Sequence, residues 1–239
     1  MEYRNITVVG TSHIAKQSLD EVAREIESKK PSIIAIELDR KRLHVLFNRK
    51  DNKISIYAIS KVGLKGYIFA LIGAWAEKKL GEHVGVMPGS EMKSAAEIAK
   101  KKGIRLALID QDIEVTLSRL SKSLSWKEKR NFIADIFKGV VLRKKEVEFD
   151  LTTVPDKKLI KKLLGQVKKR YPNIYRVLVA ERNQVMADNL IKLMKTNEGR
   201  ILAFVGAGHE EEIITLVKER INKIDISYTV NVGEHRVSV

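Results

Sequence analysis

Two short apolar stretches, each ending in a Gly-x-x-His turn, constrain the fold of this 239-residue chain most strongly. They are Ile6–His13, with the sequence ITVVGTSH, and Ile201–His209, with the sequence ILAFVGAGH. Apolar runs of this length that end at a glycine are typical of buried strands with a sharp exit. Because almost the whole chain separates the two copies, His13 and His209 can act together only if both strands belong to one sheet.

The remaining pattern predicts an α/β fold with a mostly parallel central sheet and helices on both faces. Strand Ile6–Gly10 leads into a helix that ends near Lys29, and the segment Ser18–Glu21 matches a capping box at its start. A second strand, Ser32–Ile36, completes a βαβ unit with an expected right-handed crossover. Three more strands are predicted, at Arg105–Ile109, Ile201–Val205 and Ile226–Val230.

The chain is predicted to be a single α/β domain, 1–239, with a basic helical insertion at 113–196. The insertion holds 20 Lys+Arg against 9 Asp+Glu, a balance of +11 out of the formal net charge of +15. Such a bias can attract nucleic acid or anionic lipid, but solvated Lys-rich helices have the same composition. Of these two interpretations of the insertion, nucleic-acid binding is the one that we do not favour.

The composition also limits the chemistry and the compartment. The chain has no cysteine, which excludes a disulfide framework and a thiolate metal site and agrees with a reducing cytoplasm. The most apolar window, Ile54–Trp75, is interrupted by Lys61 and Lys65, and its uncharged part is well short of the ~20 residues that a membrane span needs. We expect a buried helix there, no transmembrane segment, and a cytoplasmic protein.

Side chains suited to metal ligation follow four of the predicted strands: His13, Glu37, Asp110 and His209. In a parallel sheet the carboxyl ends of the strands share one edge, where ligands gather. Two imidazoles and one or two carboxylates can hold a divalent ion and leave a position open for water, whose pKa the ion lowers. The sequence therefore predicts one site at this edge, with manganese, cobalt or zinc as the candidate metals.

Each of these signals has a structural alternative. A histidine after a strand is often a helix-start or core residue, and an aspartate such as Asp112 is often an N-cap. Glycine-rich turns before helices can cradle phosphate, but neither turn matches a P-loop or a GxGxxG sequence. Glycines at 10, 206 and 208 would let backbone segments approach the site closely.

Several short motifs occur in a consistent order from Gly10 to His209. They are Gly10–His13, Ile36–Asp39 with Arg42, Pro88–Met92, Ile109–Asp112 with Thr116–Arg119, Glu181–Asn183, and Val205–His209. In this set the chain resembles the TraB/PrgY (pheromone shutdown) family, which is related to GumN-like proteins and TIKI metalloproteases.

The resemblance implies a metal-dependent, peptidase-like hydrolase. The family's presumed active groups fall here on His13 and His209, on Glu37 or Glu91, and on Arg182 or Arg119. Glu181 belongs to the same motif as Arg182, and Gly89 forms the turn before Glu91.

Two departures from the family pattern stand out. Many members have Asp-Arg-Asp where this chain has Asp110-Gln111-Asp112, so a role of that arginine is not carried over. Many also carry C-terminal membrane segments, whereas none is expected in this sequence, so a membrane-localised function is not carried over.

Other functions remain open at this stage. The same residues could form a metal-independent hydrolase with a His–carboxylate base, or a non-enzymatic protein that binds a peptide or a haem-like ligand. The expected partner is a peptide or small-molecule substrate, and a homodimer is compatible with the sequence.

Overall fold

The computed structural model describes residues 1–11, 16–48, 89–142 and 157–234. A five-stranded sheet forms the centre, with the strand order β1-β2-β5-β3-β4. Only β1 runs antiparallel to its neighbour. The strands are β1 (Glu2–Tyr3), β2 (Ile6–Thr11), β3 (Ile33–Ile36), β4 (Arg105–Leu108) and β5 (Ile201–Gly206). The predicted α/β fold with a mostly parallel sheet is thus confirmed.

Helices connect the strands and continue after the last of them, within the part of the chain that the structure describes. They are α1 (Lys16–Lys29), α2 (Arg40–Phe47), α3 (Ser90–Lys102), α4 (Ile113–Ser123), α5 (Trp126–Leu142), α6 (Lys157–Arg170), α7 (Pro172–Tyr175), α8 (Glu181–Thr196) and α9 (Glu210–Glu234). A π-helical turn, Arg176–Ala180, joins α7 to α8.

The helices cover both faces of the sheet because successive strand residues point to opposite sides. On one face, Ala203 and Val205 pack with Leu190 of α8 and Val217 of α9 in a buried cluster. On the other face, Phe204 packs in a cluster with residues of α1 and α3, including Val22 and Met92. The sheet is therefore the middle layer of a three-layer sandwich, and its strand ends form the open edges.

Two local predictions are wrong. Residues Ile226–Val230 lie inside α9 and do not form a strand. Their alternating pattern suits a strand, but the segment continues the helix that begins at Glu210, and a helix satisfies its backbone hydrogen bonds within the segment. The fifth strand of the sheet is instead β1, which was not predicted. The capping box at Ser18 is also wrong, because α1 begins two residues earlier, at Lys16.

Helices α4–α8 occupy the predicted basic insertion, and α8 is part of the hydrophobic core. Met186, Ala187 and Leu190 of α8 are fully buried in the core cluster beneath the sheet. The exposed basic residues lie mainly on α5 and α6. Nucleic-acid binding by that surface stays a prediction.

No helix within the described ranges combines the length and apolarity that a membrane crossing requires. The apolar window Ile54–Trp75 falls in the gap between residues 48 and 89, outside the described residues.

Candidate functional site

The sheet topology brings three of the predicted strand ends side by side. Strand β5 lies between β2 and β3, with Thr11 aligned to Gly206 on one side and Ile36 aligned to Phe204 on the other. The backbone N–H of Ala207 donates to the Thr11 carbonyl oxygen at 2.8 Å. The beginnings of the two Gly-x-x-His turns are therefore hydrogen-bonded to each other, as a shared site requires.

The close approach of these turns explains Gly10. A Cβ atom built on Gly10 would lie 2.8 Å from Glu210 Oε2 and 3.0 Å from the Ala207 Cα atom, and the second contact is with backbone that cannot move aside. Gly208 is less constrained, because a Cβ there would meet only side-chain atoms among the described residues, Leu164 at 3.3 Å and Ile160 at 3.8 Å. The predicted role of glycine in close backbone approach is clearest at Gly10.

Arg182 of α8 joins two carboxylates at this edge of the sheet. Its Nη2 atom donates to Glu37 Oε1 and to Asp110 Oδ2, the latter at 2.5 Å, and its Nε atom lies 3.1 Å from Asp110 Oδ1. Its Nη1 atom donates to the Leu178 carbonyl oxygen at 3.1 Å. The second oxygen of Glu37 accepts the Gly206 backbone N–H at 2.6 Å. These contacts fix both carboxylates in place.

A second arginine extends the network. Arg42 Nη2 donates to Asp110 Oδ2 at 2.6 Å, and Arg42 Nε donates at 2.6 Å to Asp39, which caps the N-terminus of α2. Gln111, the departure from the family pattern, donates its backbone N–H to Asp110 at 2.7 Å and its side-chain amide to Thr116 at 2.9 Å. Asp110 is thus surrounded by donors.

Charges are nearly balanced within this buried cluster. Burial lowers the pKa of the Arg182 guanidinium, but the carboxylates of Glu37 and Asp110 outweigh that effect and raise its pKa above the usual value. Glu37, Asp39 and Asp110 are each less than a tenth exposed, and they face the guanidinium groups of Arg42 and Arg182. With all five groups ionised, this set carries one excess negative charge, which a proton or a bound cation nearby would compensate.

His209 borders the cluster and is itself held by a side chain. Its Nδ1 atom lies 2.6 Å from Asn183 Oδ1, and the Asn183 amide nitrogen donates to Glu212 Oε2 at 2.9 Å. Asn183 is fully buried. The other ring nitrogen, Nε2, lies 3.5 Å from Glu37 Oε1. The imidazole therefore bridges α8 and the carboxylate that follows β3.

The remaining predicted residues lie in different settings. Arg119 and Glu181 form a two-pronged ion pair at 2.6 and 2.8 Å, in which the hydrogen bond from Arg119 lowers the pKa of the Glu181 carboxyl. This pair lies at the surface, since the Arg119 side chain is 54% exposed. Glu91 is buried in the first turn of α3, directly after Gly89, whose φ of 81° favours glycine. Gly89 thus forms the predicted turn. The catalytic roles of Glu91, Arg119 and Glu181 stay predictions.

The donor set fits a divalent metal only in part. Two ligands of a tetrahedral zinc ion at about 2.0–2.2 Å lie roughly 3.4 Å apart, close to the 3.5 Å between His209 Nε2 and Glu37 Oε1. Both oxygens of Asp110, in contrast, already accept hydrogen bonds from arginine or backbone groups. His13 lies outside the described residues, and among the described ones no group of three or more His, Asp or Glu side chains is arranged to hold a metal.

Three residues of the site received no role in the sequence analysis: Arg42, Asn183 and Glu212. Arg42 and Asn183 do fall within the family motifs, which was the available signal. Glu212 lies in a run of three glutamates at the start of α9, where acidic residues are expected from the helix dipole alone. Nothing in the sequence distinguishes it from its neighbours.

The chain is similar to known proteins over nearly its whole length. The sequence model of the TraB/PrgY/gumN family matches residues 2–220. An uncharacterized protein of Methanocaldococcus jannaschii is 38% identical over 240 residues, which cover 98% of this chain and 59% of that protein. The human TraB domain-containing protein is 25% identical over 190 residues, or 74% of this chain and 50% of that protein. The chain thus spans between half and three fifths of the length of these relatives.

Proposed function

Since the chain belongs to the TraB/PrgY/gumN family, we propose that it is a hydrolase that cleaves an amide bond of a peptide at the cluster of Glu37, Arg182 and His209. In this reaction a water molecule attacks the amide carbonyl, the C–N bond breaks, and the leaving amine takes up a proton. A base must remove the proton of the water, and positive charge must stabilise the developing oxyanion. The cluster contains groups suited to both tasks.

The contact between His209 Nε2 and Glu37 Oε1 at 3.5 Å is the observation that supports this proposal. The Asn183 contact leaves Nε2 as the ring nitrogen directed at the carboxylate. An unprotonated Nε2 and a carboxylate oxygen are both acceptors, so their close approach is favourable only with a proton or a cation between them. A pair poised in this way suits the activation of water.

A divalent metal is the favoured occupant, with His209, Glu37 and His13 as the proposed ligands. When bound, such an ion lowers the pKa of a coordinated water and polarises the substrate carbonyl. Asp110 then has a supporting role, because its oxygens hold Arg42 and Arg182. Manganese, cobalt and zinc all remain candidates.

Arg182 is the proposed oxyanion group. A guanidinium has five N–H bonds, and four of those on Arg182 point to oxygens of Asp110, Glu37 and Leu178 among the described residues. The remaining hydrogen, on Nη1, can donate to a substrate oxygen. The raised pKa of Arg182 keeps this donor charged across the working pH range.

A metal-independent hydrolase is the second candidate, and one observation favours it. Arg182 donates to the same Glu37 oxygen that faces His209, and a guanidinium at that position reduces the affinity of the carboxylate for another cation. In this version His209 takes the proton from water and shares it with Glu37. A protein that binds peptides without cleaving them would use the same cluster of residues.

Peptide hydrolysis by the purified chain tests the proposal. The protein is incubated with a pool of unstructured peptides, with and without Mn²⁺, Co²⁺ or Zn²⁺, and new termini are identified by mass spectrometry. We expect cleavage that depends on metal, and a decrease of about 10²–10⁴-fold in kcat/KM for His209→Gln, the range for loss of an acid–base group. His44→Gln is the matched control, because His44 contacts only the nearby Asn48 among the described residues.

The outcomes separate the candidates. Cleavage that survives chelators but not His209→Gln would favour the metal-independent version. Saturable peptide binding without cleavage under any condition would contradict both hydrolase proposals. Full activity of His209→Gln, with its fold verified by circular dichroism, would also contradict them.

The proposal requires neither a homodimer nor nucleic-acid binding through the insertion, and both stay predictions. The cytoplasmic location is likewise a prediction.

A further inference from the structure

The side chain of Asn183 is held at both ends, and each end constrains the other. Its amide nitrogen donates to Glu212 Oε2 at 2.9 Å, and its amide oxygen lies 2.6 Å from His209 Nδ1. The residue is 0% exposed, so its amide group depends on these protein partners for its hydrogen bonds. Glu212 also accepts from the Tyr175 hydroxyl at 3.5 Å, a weaker contact.

For a neutral His209, these contacts leave one consistent arrangement of hydrogen atoms. An ionised glutamate is only an acceptor, so the Asn183 group that faces Glu212 must be the NH₂ group. The oxygen of Asn183 then faces His209, and it can only accept. Nδ1 of His209 must therefore carry a hydrogen, and in the neutral ring the lone pair is on Nε2.

We infer that Asn183 and Glu212 are positioning residues that fix His209 in the tautomer with hydrogen on Nδ1 and direct the Nε2 lone pair at Glu37. Only the purpose of this arrangement rests on the proposed function: the tautomer leaves Nε2 able to accept a metal or a proton. The tautomer itself follows from the hydrogen-bond geometry. In the opposite tautomer Nε2–H would donate to Glu37, and neither a metal nor a water proton could reach that nitrogen.

A purely structural role has a different consequence. Asn183 lies on α8, while His209 and Glu212 lie at the start of α9, and these two helices pack against each other. If the contacts only tied the helices together, their removal would lower stability and leave the ring tautomer unchanged. A readout of the ring itself is therefore needed.

Nitrogen-15 NMR of the metal-free protein, labelled at histidine, gives that readout. The spectrum is recorded at a pH where the ring shifts show a neutral imidazole, and His209 is assigned by the signals lost in His209→Gln. We expect a pyrrole-like Nδ1 and a pyridine-like Nε2. The opposite pattern in the unmodified protein would overturn the inference directly.

Two variants test the origin of the tautomer. Glu212→Gln gives position 212 its own donor, so the Asn183 amide can turn over, and we expect both tautomers to be populated. Asn183→Leu removes the acceptor, and we expect the hydrogen to move to Nε2, where Glu37 accepts it. The matched control is Glu211→Gln, a neighbouring glutamate whose side chain is 67% exposed and pairs with Lys161; its spectrum should match the unmodified protein.

Zinc titration by calorimetry adds a second measurement. Loss of an outer hydrogen-bond partner typically weakens metal affinity about 10–100-fold, and we expect that change in Glu212→Gln but not in Glu211→Gln. If the unmodified protein binds no zinc, the metal proposal fails, and the NMR result alone decides this inference. An unchanged Nδ1–H tautomer in both Glu212→Gln and Asn183→Leu would overturn it, whatever the zinc affinities.

Discussion

The cluster at the sheet edge and the basic helices α5 and α6 use the same kinds of charged side chain in opposite environments. In the cluster, Arg182 is 15% exposed and contacts carboxylates whose side chains are at most 4% exposed. On α6, lysines such as Lys162 and Lys169 are exposed to solvent. Formal charge on its own therefore does not distinguish the candidate site from the basic surface.

The difference lies in what happens when a partner is lost. Water surrounds the exposed lysines and arginines of α5 and α6, so their pairings contribute about 0–1 kcal/mol each and are screened by salt. A charge in the cluster has no such alternative, and removal of one partner leaves another buried and uncompensated. The loss of a partner should therefore cost more in the cluster than on the basic surface.

The largest expected effect comes from Arg182→Met. Methionine leaves Glu37 and Asp110 without their shared guanidinium, and we expect a decrease of about 3–5 kcal/mol in the free energy of unfolding, the cost of breaking a buried pair. Urea denaturation followed by circular dichroism measures it.

Arg119→Met is the control. Two nitrogen atoms of Arg119 also donate to one carboxylate, that of Glu181, but the arginine side chain is half exposed. Its expected cost is about 1 kcal/mol or less. Equal costs for the two variants would contradict the distinction between the buried cluster and the surface.

A smaller effect is expected at Glu128, a buried carboxylate within the basic segment. Burial raises the pKa of its carboxyl, but hydrogen bonds from Asn173 and Ser125 outweigh this and lower the pKa to about 2, from 4.5 in the unfolded chain. Because the folded pKa is the lower one, the stabilisation is present above pH 4.5 and is lost as the pH falls towards 2. Its full value is about 3 kcal/mol.

Glu128→Gln should therefore destabilise the protein most at neutral pH and scarcely at pH 2. Unfolding curves at pH 7, 4 and 2.5 measure the difference between the variant and the unmodified chain. A difference that stays constant with pH would show that the carboxylate charge is not the cause.

The smallest effect is expected from Lys162→Gln combined with Lys169→Gln on α6. Both side chains are solvated, and we expect the free energy of unfolding to change by no more than about 0.5 kcal/mol. The same denaturation assay measures it. A decrease of more than about 1 kcal/mol in the free energy of unfolding would mean that these lysines stabilise the fold as the charges of the cluster do.

Local patterns in the sequence were sufficient for the fold class and for the edge of the sheet that carries the site. The four parallel strands were all predicted, because apolar runs and the glycines that end them reflect the local backbone directly. Glu37, Asp110 and His209 were expected to meet because strand ends in a parallel sheet share an edge. The structure brings these three together around Arg182.

Only the tertiary structure decided what each of these groups does at that edge. Each of the decisive contacts joins residues that lie 26–72 positions apart: Asp110 with its two arginines, His209 with the amide oxygen of Asn183, and Asn183 with Glu212. The predicted strand Ile226–Val230 is likewise helical in the folded chain, where it continues α9. Sequence patterns are local, whereas burial, pairing and the direction of a hydrogen bond depend on neighbours that the chain reaches only by folding.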